Sequence, residues 1–219
     1  MKTPSVAVYL EAGKKRTFAA ALDWPGWCRQ GRNETEALAA LLAYGPQYAS
    51  ILAGTGLGFA APKDLASFVV VERLPGTATT DFGAPGVAPA VDHERSCDAA
   101  TLRRFEKILS AGWQAFDQAV EFARGKTLAT GPRGGGRSLE AIVSHVIEAD
   151  AGYLSAVGWK APKAAEPHQR LAATREAILA ALKASATGEI PPKGPRGGVR
   201  WTARYFYRSS WVDPRIRSG

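Results

Sequence analysis

Residues 137–159, RSLEAIVSHVIEADAGYLSAVGW, constrain the fold more than any other stretch of the 219-residue chain. Leu139, Ile142, Val143, Val146, Ile147, Tyr153, Leu154 and Val157 recur at steps of three and four, which is one face of an α-helix. Ser138 is placed to cap its start and Gly158 ends the pattern. His145 falls on the flank of the apolar face, where a bundle helix meets its neighbour. Asp150 projects close to the centre of that face, and a carboxylate there must find a partner or keep its proton.

More helices flank this one. Leu102, Phe105, Leu109, Trp113, Phe116, Val120 and Ala123 step by three or four, predicting a long helix capped by Ser96 or Asp98. A Gly/Arg loop, TGPRGGGR, separates the two; it lacks the Lys-Ser/Thr ending of a P-loop, so it is not read as a phosphate cradle. Pro167 suits the first position of a third helix carrying Leu171, Ile178 and Leu182 and ended by Gly188. Residues 201–213 are expected to form a short fourth helix with Trp201, Tyr205, Phe206 and Trp211. Together they predict an up-down four-helix bundle with a short fourth helix.

The first 75 residues are of a different class. Val6, Val8 and Leu10 alternate, Gly13-Lys14 offers a turn, and Arg16, Phe18, Ala20 and Leu22 alternate again, predicting a β-hairpin with one buried face. Trp24-Pro25-Gly26-Trp27 turns the chain into a short third strand, Cys28 to Gly31. Asn33 with Glu36 has capping-box spacing and opens a helix that Gly45-Pro46 is expected to interrupt. The β-branched run over 67–74 reads as a fourth strand. The fold class is therefore α+β: a small βββαβ module over 1–76, a Pro/Gly/Ala-rich linker over 77–96, and the helical bundle over 97–219. His93 lies in that linker and is read as an exposed residue without a role.

Composition narrows the setting. No apolar run approaches the ~18 residues that span a bilayer, and the charges of MKTPSVAVYLEAGKK do not suit a signal peptide. A cytoplasmic protein without membrane contact is expected, with Cys28 and Cys97 as free thiols. The net charge of +8 invites a nucleic-acid reading. No nucleic-acid-binding motif accompanies it, so a solvated basic carboxyl-terminal segment is expected instead, and nucleic acid is not an expected partner.

Two resemblances add to this. The run Phe18-Ala19-Ala20-Ala21-Leu22-Asp23-Trp24-Pro25-Gly26-Trp27-Cys28-Arg29-Gln30-Gly31, followed by Asn33-Glu34-Thr35-Glu36-Ala37-Leu38, resembles the HicB-type antitoxin module. That family has an aromatic strand, a Leu-Pro-Gly-Cys-like turn, a glycine and a Thr-x-x-Glu-Ala helix start. The resemblance covers residues 5–74 and implies a βββαβ sheet on a helix. It further implies a small protein partner, since many members neutralise a small RNase.

Residues 97–213 resemble the DinB/YfiT-like four-helix bundles through Ser138-Leu139-Glu140, His145, Glu148 and Tyr153-Leu154, and through 201–208 with Trp211. In that superfamily one histidine of the second helix and two of the fourth hold a divalent metal, and several families are thiol-dependent transferases or isomerases. His145 matches the first ligand position. Val212 stands where another ligand would be expected, no histidine follows it, and His168 does not match the pattern. Asp213 is followed by Pro214, which biases it out of the helix.

His145 therefore has three readings: a satisfied interhelical histidine, a remnant of a lost site, or a working ligand. Asp150 reads as an ion pair or tyrosine hydrogen bond inside the bundle, with Arg204 and Arg208 as natural cations; the alternative is a polar pocket of Asp150, Tyr153, Arg204 and Arg208. No cofactor is predicted, and Zn or Ni is the alternative. The function expected is a non-catalytic binding or regulatory protein with an incomplete metal site. The rivals are a metal-dependent, thiol-dependent transferase and an antitoxin-like binder of a small RNase. A short fourth helix would leave Phe105, Trp113, Ile142 and Val146 in an open groove, from which a homodimer is expected.

Overall fold

A computed structural model describes residues 5–128, 138–163 and 166–210. The chain divides into two compact units, Met1–Arg95 and Ser96–Gly219.

The first unit is a mixed sheet beside one long helix. Strands β1 (Val6–Ala12), β2 (Thr17–Ala21), β3 (Cys28–Gly31) and β4 (Phe68–Pro75) lie in the order β3-β2-β1-β4. β1 is antiparallel to β2 and parallel to β4, the parallel pair needing the long crossover that helix α1 (Glu34–Ile51) provides. Asn33 caps α1 by accepting from the Glu36 amide at 2.9 Å. Gly31 is required just before it, because the start of α1 lies where a Cβ would stand. The helix is not interrupted at Gly45-Pro46 but runs through Pro46. Packing outweighs the hydrogen bond that proline removes: Tyr44, Gly45 and Tyr48 are buried, the Tyr48 hydroxyl donates to the Pro25 carbonyl at 2.8 Å, and the Trp27 indole donates to the Leu41 carbonyl at 2.8 Å. Trp27 also meets Tyr48, Phe59 and Phe68.

The hairpin was expected to bury one face, yet every residue of β2 is buried. Residues 77–95, which the composition suggests are a linker, fold onto the side of the sheet that carries Glu11 and Glu72. They form helices α2 (Ala78–Phe82) and α3 (Ala90–Glu94) and are tied to the sheet by carboxylates. Glu11, 0 % exposed, accepts from the Thr80 hydroxyl, from the Gly86 amide (3.0 and 3.1 Å) and from the Val87 amide (3.1 Å). A register slip between Val8 and Tyr9 brings Glu72 opposite Tyr9, onto the same side as Glu11. There Glu72 accepts from the Ala90 amide at 3.0 Å, the first donor of α3, whose cap Pro89 has no side chain able to accept it. The next residue, Arg73, faces the other way and pairs with Glu34 of α1 at 2.8 Å.

Among the described residues the second unit holds four helices: α4 (Ala99–Ala123), α5 (Leu139–Val157), α6 (Pro167–Ala186) and α7 (Ala203–Ser209). Asp98 caps α4, Ser138 caps α5 and Thr202 caps α7, each accepting from the amide three residues on. Gly158 closes α5 at φ 87°, the left-handed position that glycine fills without strain. Phe116, Ile147 and Leu171 join α4, α5 and α6 in a core, with Val120, Ile142, Val143 and Val146 packed around it. Tyr207 of α7 stacks on Phe105 of α4, centroids 3.7 Å apart. The TGPRGGGR run of the Gly/Arg loop, within the span 129–137, and the stretch 211–219, including Trp211, Val212 and Asp213, lie outside the described residues.

Candidate functional site

Asp150 is placed by the helical period of α5 on the buried face, three residues after Ile147 and four before Leu154, and is 1 % exposed. Its Oδ1 is buried with no hydrogen-bond partner. Burial pushes its carboxyl up to about 7, and the positive charge of Arg175 on α6 partly opposes that rise. Tyr153, one turn along, has its phenol pushed up by burial and by the Asp150 carboxylate.

Arg175 belongs to the same layer. Its Nη1 and Nη2 grip both oxygens of Asp117 on α4, at 2.8 and 2.7 Å. Its guanidinium lies 5.5 Å from the centroid of the Trp113 ring. The Arg175 Nε and the Trp113 Nε1 are both buried and without a hydrogen-bond partner. One layer of the unit thus collects a buried carboxyl and two buried N–H donors from three helices, and orphaned polar groups of this kind are costly enough to call for a role.

This differs from the sequence expectation in its cation. The positive charge that opposes the rise at Asp150 is that of Arg175 on α6, where Arg204 and Arg208 were the expected cations. The Arg204 guanidinium instead donates to the Ser96 carbonyl at 2.9 and 3.1 Å and lies 5.6 Å from the Phe105 ring. Arg208 sits in the last turn of α7. Of the four residues of the expected pocket, Asp150 and Tyr153 come together. Arg175 was legible only as a cation interrupting the Leu171–Ile178 stripe.

His145 is exposed on α5 rather than wedged between helices, because it sits five residues before Asp150, about 140° round the helix. Among the described residues no three histidine, cysteine, aspartate or glutamate side chains form a metal-holding group. Of the four residues expected to line an open groove, Phe105 and Trp113 are 5 % and 9 % exposed, Phe105 being stacked on Tyr207, while Ile142 and Val146 are half-buried. Cys28 and Cys97 are free thiols, and burial raises the Cys97 thiol above its ordinary value. No helix among the described residues is long and apolar enough to cross a membrane.

No protein-family model matches the chain, and neither a curated protein nor a solved structure matches it.

Proposed function

We infer that the chain is a two-unit binding or regulatory protein, not a catalyst. Its first unit is a HicB-like docking module for a small protein partner, and its second a DinB-like up-down four-helix bundle with an incomplete metal set. The observation that carries this is the contrast between two residues five apart on α5. His145, the one residue matching a ligand position, is exposed to solvent, whereas Asp150 occupies the interior together with Arg175. A cation beside the interior carboxyl competes with a bound metal ion for the same charge. The βββαβ order of the first unit, with α1 starting directly after Gly31, supports the docking half of the proposal.

Metal analysis tests it. After dialysis against Zn²⁺ or Ni²⁺ and then buffer, the purified chain should retain far less than one ion per molecule. One tightly held ion per chain, lost in His145→Ala, would overturn the inference in favour of a metal-dependent transferase.

A further inference from the structure

Around Asp150, the carboxylates of Asp117 and Asp150 and the guanidinium of Arg175 interact. Asp117 of α4 is half-exposed, and it takes both Nη groups of Arg175, whose own side chain is mostly buried. That grip leaves Nε over, buried and unpartnered. Asp150 presents its own buried, unpartnered Oδ1 from α5, and Arg175 is close enough for its charge to act there. Beside them lie the Trp113 indole on α4 and the Tyr153 phenol on α5, while from α7 Arg204 is held at the Ser96 carbonyl and Arg208 sits in the last turn.

The two carboxylates are unequal competitors. Water solvates Asp117 whether or not Arg175 holds it, and pairs with such a partner are weak. Asp150 is 1 % exposed and, among the described residues, Arg175 is the cation acting on it, so leaving it ionised and unpaired in the interior is far costlier. We propose that Arg175 is shared: it clamps Asp117 while Asp150 carries its proton, and turns to Asp150 once that proton passes to solvent. The change exchanges an α4–α6 clamp for an α5–α6 clamp, so the packing of the helices responds to protons. It goes beyond the binding or regulatory role inferred above and does not depend on the metal analysis. The carboxyl's midpoint near 7 puts the exchange in a range where small changes of pH act.

NMR on the full chain tests this. The Arg175 Nε–Hε signal should move between pH 5.5 and 8.5 with the same midpoint as the Asp150 carboxyl carbon. In Asp150→Asn it should stay at its acid-form position throughout. In Asp117→Asn, where Asp150 has no rival, it should sit at the alkaline-form position, and Asp150 should titrate at least one pH unit lower. An Arg175 signal that ignores pH in the unmodified chain would overturn the proposal. So would one that still titrates in Asp150→Asn, or an Asp150 that titrates near pH 4. The Asp150→Asn arm introduces a neutral side chain of the same shape, so the test stands if Asp117→Asn does not fold.

Discussion

A buried carboxyl that keeps its proton until about pH 7 makes stability depend on pH, with a definite sign. The Asp150 carboxyl goes from 3.8 in an open chain to about 7 in the folded one. Between those values the folded chain holds a proton that the unfolded chain has released. The stability this contributes is whole below about pH 4, falls as pH rises toward 7, and is gone above it. At roughly 1.4 kcal/mol per pH unit the whole span is about 4 kcal/mol, an upper bound if Arg175 moves in as the charge appears. Asp150→Asn keeps the shape without the proton. Urea midpoints of the unmodified chain should therefore fall between pH 5 and 7.5, while those of the variant stay nearly level. Parallel slopes would mean that another group carries the proton. The interior placement of Asp150 was legible because an apolar period fixes which positions face inward. Its cation was not, because which helix stands opposite Asp150 depends on packing that no single helix encodes.

At the scale of elements, local signals served well and long-range ones did not. The caps of α1, α4 and α5, the presence of the four strands and the glycine stop of α5 follow from side chains close to each element in sequence. Continuity of α1 through Pro46 depends on Trp27 and Tyr48, which local breaker rules do not weigh. The folding of residues 77–95 onto the sheet depends on Glu11, about 70 residues upstream, so composition alone suggested free chain. Glu11→Ala should cost about 2–4 kcal/mol, because three donors lose a buried acceptor at once. Limited proteolysis should then cut within 77–95, a stretch that resists in the unmodified chain. A variant as stable and as protease-resistant as the original would show that α2 and α3 hold themselves. Glu72→Gln, at a more exposed bond, should cost under about 1 kcal/mol.

For the whole molecule, the consequence is where one unit ends. Contacts divide the chain at Arg95 and Ser96, not at the end of β4. A fragment of residues 1–95 should unfold cooperatively in urea, whereas residues 1–76, which contain all four strands and α1, should not. Cooperative unfolding of the shorter piece would make the carboxylate ties dispensable. The same tie sets an order of events during synthesis. Glu11 leaves the ribosome first, in a strand that becomes interior to the sheet, and the amides of Gly86 and Val87 follow 75 and 76 residues later. At about 5–20 residues per second that is an interval of roughly 4–15 s. During it the nascent sheet carries a carboxylate on a face with nothing to receive it, and the face turned away from α1 stays open. The amino-terminal unit thus has a built-in delay, and completes itself only as the helices of the second unit begin to emerge.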